Sequence, residues 1–245
     1  MTTAESNYPD SYYLHTANSI KDRPQLTESI DADVCIIGGG YTGLLAALNL
    51  AEKNYRVVLL EANKVGWGAS GRNGGQIGSG HNKKIDQLEK DYGKSLAREL
   101  WNLSEHAKEI VKDRITDHQI NCDLRHGNMT VSNNPRDDAE HRRYVEKLNK
   151  DYDYDSIRYV DQEEVYDIFH SPFFKGGGSM DMGGMHLHPL NYALGLADAA
   201  EGQGVEIYEN SRVLNYSKGS ISQATTDHGK VRAKMVVLAC NAYLE

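Results

Sequence analysis

Residues 33–61 read DVCIIGGGYTGLLAALNLAEKNYRVVLLE, and the order of residue types in this stretch decides the fold. Asp33–Ile37 is a short apolar run suited to a buried parallel strand. It passes straight into Gly38-Gly39-Gly40-Tyr41-Thr42-Gly43. Leu44–Lys53 (LLAALNLAEK) is rich in Ala and Leu and predicts a helix. Arg56–Leu60 (RVVLL) predicts a second strand, which ends at Glu61. Strand, turn, helix and strand within about 30 residues make one crossover unit. A right-handed crossover sets the two strands side by side in a parallel sheet. The expected fold class is α/β, with a Rossmann-type parallel sheet.

The spacing Gly38-x-Gly40-x-x-Gly43 assigns a separate job to each glycine. Gly38 permits the tight turn out of the strand, Gly40 lets a pyrophosphate approach the backbone, and Gly43 lets the helix pack closely on the sheet. The helix N-terminus that follows offers free N–H groups and a partial positive charge to phosphates. Glu61 follows Gly43 at close to the ~20-residue distance expected of a ribose-binding carboxylate, and an acid there repels a 2′-phosphate.

The next stretch, Val65–Gly80 (VGWGASGRNGGQIGSG), is too long for a plain nicotinamide unit, where the chain would soon return to the sheet. Its glycines and small side chains bring many backbone N–H donors close to a ligand. Arg72 can offset phosphate charge, and Asn73 and Gln76 can hydrogen-bond a polar ring edge. Loops of this length in compact domains are usually functional or disordered.

Farther out, a helical block is expected over about 83–117, a strand over 123–131 and a charged helix over 135–150. Asp161-Gln162-Glu163-Glu164 has the capping-box form. Phe174–Gly184 (FKGGGSMDMGG) reads as a flexible connection, and Pro189 as the first residue of a helix to about Gly202. Strands are expected at Val205–Tyr208 and Val213–Tyr216. A hairpin around Asp227-His228-Gly229 would return Met235–Ala239 to the parallel sheet.

The chain has 245 residues, and 27 basic against 35 acidic side chains leave it at −8. A net acidic chain is a poor candidate for a nucleic-acid binder, which needs a clustered basic face. Three cysteines give neither a disulfide framework nor CxxC metal spacing. Cys35 reads as a small core residue. His186-Leu187-His188 invites a metal reading, but no further ligand lies at suitable spacing. His188 at a helix start is the better account, and no metal is expected. No apolar run reaches the roughly 18 residues of a membrane span, and Met1–Pro9 lacks the apolar stretch of a signal peptide. A soluble cytoplasmic protein is expected.

GGGYTGLLAALNLAE, VVLLEANKVGWGASGRNGGQ, HPLNYALGLADAA and VVLACNAYL together resemble the FAD-dependent amine and amino-acid oxidoreductases of the D-amino-acid-oxidase superfamily. GASGRNGGQ is fairly specific for one branch, whose substrate is gamma-glutamylputrescine. The resemblance implies FAD as cofactor. Gly38, Gly40, Tyr41, Thr42 and Gly43 would meet its pyrophosphate, and Glu61 with Ala62 its ribose. Gly68, Ala69, Ser70, Arg72, Asn73, Gly74, Gly75 and Gln76 would line pyrophosphate and flavin. Val213 would reach the adenine through its backbone, and Ala239 would end a strand beside the FAD. The implied organisation is an N-terminal arm over 1–30 and an FAD-binding domain from 31–83 and 189–245. Residues 84–188 would form part of an antiparallel-sheet substrate domain.

In the family, glycine usually stands where this chain has Cys240, a side chain that could crowd the cofactor. The family also continues for a further large block, so the chain reads as the N-terminal part of such an enzyme. The implied reaction takes an amine and oxygen to an aldehyde, ammonia and hydrogen peroxide, and no residue stands out as a general base. N-methyl or D-amino acids are the alternative substrates. A non-catalytic FAD-binding fragment and a nicotinamide-dependent reductase are the rival readings.

Overall fold

The computed structural model of the chain describes residues 8–243. The first seven residues of the expected arm and the last two of the 189–245 segment lie outside the described residues. The elements begin with α1 (Tyr12–His15), β1 (Ser29–Ile37), α2 (Tyr41–Ala51), β2 (Val57–Leu60) and β3 (Gln76–Ile77). Then come α3 (Ile85–Asp117), β4 (Arg125–Val131), α4 (Asp138–Tyr152), β5 (Ile157–Val160), α5 (Gln162–Phe169) and β6 (Gly178–His186). The chain closes with α6 (Pro189–Gly202), β7 (Glu206–Tyr208), β8 (Asn215–Ser217), β9 (Ser222–Thr225) and β10 (Lys230–Leu238). They form two compact units. One holds the residues up to Gly74, 115–122 and those from His188 on; the other holds 75–114 and 123–187.

The first unit is built on a six-stranded sheet in the order β7-β2-β1-β10-β9-β8. Its first four strands are parallel, and β9 and β8 continue it as an antiparallel ribbon. Val34–Ile36 and the whole of Val57–Leu60 are buried, as continuous apolar strands of a covered parallel sheet must be. The return of 235–238 beside β1 is observed in register, from Val34 opposite Met235 to Ile37 opposite Leu238. On α2, Gly43, Leu44, Ala47, Leu48 and Ala51 are buried on one helical face. Each buried leucine there stabilises the unit by roughly 1.5–3 kcal/mol. Cys35 is fully buried, and that burial pushes its thiol up to about 12, which suits an inert core residue.

In the second unit β6 is the central strand of an antiparallel sheet, with β4 along one edge and β5 and β3 along the other. This corrects the reading of 174–184 as a flexible connection. The glycines there serve close approach. A Cβ on Gly178 would lie 2.1 Å from the Thr130 carbonyl oxygen, and one on Gly184 would lie 2.6 Å from the Asn128 amide nitrogen. β5 carries no strong pattern of its own and escapes sequence reading. Ile85, Leu88, Trp101, Leu148, Tyr152 and Ile157 gather in the core of this unit. α3 bends at Gly93, where φ is +81°.

The helix starts follow their chemistry. Asp161 accepts the Glu164 N–H at 2.9 Å, and Pro189 takes the first turn of α6. Among the described residues no helix is long and apolar enough to cross a membrane.

Candidate functional site

The site forms where β1 ends and α2 begins. Gly38 turns the chain with φ +115°, and a Cβ there would meet the Ala239 carbonyl oxygen at 2.5 Å. A Cβ on Gly43 would meet the Gly38 carbonyl oxygen at 1.9 Å, and one on Gly40 would meet Ser70 Oγ at 2.9 Å. All three glycines are therefore fixed by space. The first bond of the helix runs from Leu44 N–H to the Gly40 carbonyl at 2.9 Å. The N–H groups of Thr42 and Gly43 precede it and face the open end of the helix. Tyr41 N–H donates to Ser70 Oγ at 3.0 Å.

Glu61 lies at the end of β2 as expected. Its carboxylate accepts the Gly39 N–H at 2.6 Å and the Asn63 N–H at 2.8 Å. Burial raises its pKa, the Asn63 and Gly39 N–H bonds lower it in part, and the charge of Glu209 adds to the rise. A carboxylate has about four acceptor positions, so capacity remains for a ribose hydroxyl. Gly39, which the spacing rule leaves unassigned, thus joins the acid to the turn.

The loop after Glu61 folds back on this turn. Gly66 N–H donates to the Gly39 carbonyl at 2.9 Å. Ala69–Gly71 forms a single 3₁₀ turn, with Gly68 ahead of it. Arg72 lies over the Trp67 ring at 5.2 Å and donates to the Gly68 carbonyl at 3.3 Å. The Asn73 amide donates to the Ala69 and Ser70 carbonyls at 3.1 and 2.9 Å. Tyr41 is turned inward: its hydroxyl donates to the Pro189 carbonyl at 3.0 Å, and burial pushes its pKa up to about 12. Ala62 is half-buried beside Glu61, and Gly74 closes this part of the first unit.

Gly75 and Gln76 belong to the second unit. Gly75 accepts the Leu187 N–H at 2.9 Å, and Gln76 pairs with His186 between β3 and β6. Val213 precedes β8 and packs on the core around Cys35 and Val58. Ala239 N–H donates to the Ile37 carbonyl at 2.8 Å. Cys240 directs its thiol onto that same carbonyl at 3.3 Å and packs on the same core. Its sulfur is thus held at the end of β1, and its backbone nitrogen would lie 3.3 Å from a Cβ on Gly38.

His188 caps α6, its Nδ1 accepting the Asn191 N–H at 3.1 Å, whereas His186 ends β6. Among the described residues no group of three His, Cys, Asp or Glu could hold a metal ion. Sequence reading also misses Tyr243, whose ring would stand 3.1 Å from a Cβ on Gly68, and the buried Glu209. The one signal for Glu209 was an acid directly after a buried strand.

The geometry fits a dinucleotide. The residues present give a side-chain-free cradle at Gly38–Gly43, N–H donors at a helix start and a half-buried acid beside them.

A family profile described as FAD dependent oxidoreductase (DAO) matches residues 33–245. Gamma-glutamylputrescine oxidoreductase of Escherichia coli K12 is 39% identical over 98% of this chain and 56% of that protein. The probable oxidoreductase OrdL of Haemophilus influenzae is 38% identical over 96% of this chain and 54% of its own length. The chain thus spans about half the length of the curated relatives it matches. Among solved structures, L-amino acid deaminase from Proteus myxofaciens superposes with a TM-score of 0.70 at 22% identity, covering 91% of this chain and 48% of that one. Glycine oxidase from Geobacillus kaustophilus gives 0.67 at 20% identity, covering 86% and 55%. These two likenesses bear on the fold.

Proposed function

The chain belongs to the FAD dependent oxidoreductase family (DAO), and on that premise we propose that it forms the cofactor-binding part of an amine oxidoreductase. FAD is the cofactor of the family. The substrate proposed is an amine of the gamma-glutamylputrescine kind, and the products are an aldehyde, ammonia and hydrogen peroxide. The observation that carries this reading is the 39% identity to gamma-glutamylputrescine oxidoreductase over nearly the whole chain.

When bound, FAD supplies an acceptor for hydride from the amine-bearing carbon and passes the two electrons to oxygen as peroxide. The chain's own residues bind and orient. Gly38, Gly40 and Gly43 leave room for the pyrophosphate, and the N–H groups of Thr42 and Gly43 donate to it. Glu61, with Ala62 beside it, takes the ribose. Gly68, Ala69, Ser70, Arg72, Asn73 and Gly74 would line the path from pyrophosphate to flavin, while Val213 and Ala239 would border the adenine side and the sheet end. Arg72 and Asn73 hold the loop's own carbonyls, so their part is to fix its shape.

The amine must lose its proton before it yields hydride, and an alkylamine has a pKa near ~10.4. Desolvation favours that neutral form. The imine that leaves takes up water to give aldehyde and ammonia. The first unit is proposed as the FAD-binding part, and the second as a contribution to the substrate domain.

The test is anaerobic mixing of the FAD-loaded protein with gamma-glutamylputrescine, an N-methyl amino acid and a D-amino acid in turn. Bleaching of the visible flavin absorbance by the first, with peroxide on admitting air, is the expected result. Bleaching by either of the others alone replaces the substrate. No bleaching by any of them leaves an FAD-holding module without turnover.

A further inference from the structure

A buried ion cluster beneath the site has no part in the reaction proposed for it. Glu209 is fully buried at the end of β7. It accepts the Val65 N–H at 2.9 Å through Oε1, and Lys64 Nζ lies 2.9 Å from its Oε2. The Arg23 guanidinium, itself buried, stands 3.9 Å away and is held by Asp198 at 2.7 Å and Glu201 at 3.1 Å. From the other side the Tyr8 hydroxyl donates to the Val65 carbonyl at 2.7 Å. Tyr8 is buried, and that burial and then the Glu209 charge raise its pKa. Both backbone groups of the fully buried Val65 are therefore taken by side chains from distant parts of the chain.

The residues after Val65 give this clamp its meaning. Gly66 donates to the Gly39 carbonyl in the glycine turn, and its own carbonyl oxygen would lie 2.1 Å from a Cβ on Gly71. A shift at Val65 therefore passes directly to the phosphate turn and to the 3₁₀ turn that carries Ser70. The N-terminal arm is anchored to the same place. Glu209 N–H donates to the Pro24 carbonyl at 3.0 Å, and Leu26 N–H donates to Ser211 Oγ at 3.0 Å. A buried carboxylate costs desolvation that its ion pairs only partly return, so simple stability is a poor reason for its place.

We infer that Tyr8 and Glu209 are positioning residues, a clamp on Val65 that sets the loop between Glu61 and Gly71 for FAD. The inference rests on the proposed FAD site. Tyr8→Phe keeps the ring and removes one donor. Glu209→Gln keeps an acceptor for Val65, while Glu209→Leu removes it. Arg56→Met breaks an exposed ion pair with Glu206 in the same unit and serves as the control.

The experiment is FAD titration of the apoprotein of each variant by flavin fluorescence, with the visible circular dichroism of the bound flavin and the melting temperature of the apoprotein. Tyr8→Phe and Glu209→Leu are expected to weaken FAD roughly five- to tenfold, with an altered flavin dichroism. Glu209→Gln should regain most of the affinity, and Arg56→Met should match the parent. Parent-like affinity and dichroism in both Tyr8→Phe and Glu209→Leu would overturn the inference. So would an affinity loss that follows apoprotein melting alone, with Glu209→Gln as weak as Glu209→Leu. If the parent itself takes up no FAD, the underlying site proposal fails and the clamp fails with it.

Discussion

Ser70 Oγ accepts the Tyr41 backbone N–H at 3.0 Å, so the loop after Glu61 is fastened to the first residue of α2. The same oxygen would stand 2.9 Å from a Cβ on Gly40, which puts loop and phosphate turn in direct contact. Ser70→Ala removes the acceptor and leaves that N–H to find another. FAD affinity should fall roughly three- to tenfold, from the ~1 kcal/mol of one net hydrogen bond, while apoprotein melting changes little. Equilibrium titration of the apoprotein with FAD measures it.

Gly43→Ala tests the packing of α2 on β1. Its Cβ would lie 1.9 Å from the Gly38 carbonyl oxygen, a backbone atom that cannot swing aside. Overpacking of this kind costs typically about 1–3 kcal/mol and occasionally more. Urea denaturation should show a lower midpoint, and FAD retention should be lost together with it.

Glu61 provides a pH test with a definite sign. Burial raises its pKa above the ordinary glutamate value. The stability it contributes is therefore fully present below the unfolded pKa and lost as pH rises through the folded one. Glu61→Gln removes that dependence. The melting temperature of the variant relative to the parent should climb as pH rises above the ordinary glutamate range, and its FAD affinity should be lower throughout.

In the second unit the sign reverses. Lys147 lies 3.1 Å from Asp86 and 2.6 Å from Glu89. Burial opposes ionisation of both acids, but bonds from Lys147, joined by Arg143 at Asp86 and by Tyr152 at Glu89, outweigh it and lower both pKa values. Their contribution is present above the unfolded carboxylate pKa and is lost as pH falls through the folded values. Lys147→Met should lower the melting temperature near neutrality and flatten its decline in acid, as thermal melts across that range would record.

Gly178→Ala asks whether 178–186 is a connection or a strand. A Cβ 2.1 Å from the Thr130 carbonyl oxygen must push β4 and β6 apart. Amide hydrogen exchange should show lost protection across 128–131 and 178–181, which pair with each other. Unchanged protection there would contradict the sheet.

How much of this was legible depends on what each signal measures. Asp33–Glu61 was readable because burial on both faces, glycine spacing and a terminal acid all point to one unit. The helix start at Pro189 and the cap at Asp161 were readable because capping is local chemistry. β6 was missed because glycine reports freedom and close approach with the same letter, and only the positions of Thr130 and Asn128 tell them apart. Val213 was expected inside a strand that starts at Asn215 instead, a boundary set by pairing with β9. Tyr8 and Glu209 were invisible as a pair, since 201 residues separate two side chains that meet on Val65.

The central claim is that the residues of this chain build an FAD site, and the visible absorption spectrum tests it most directly. The purified protein is mixed with FAD, freed of excess and scanned. A retained flavin spectrum at stoichiometric level, abolished in Gly43→Ala, is the predicted result. A folded, soluble protein that emerges colourless would contradict the account.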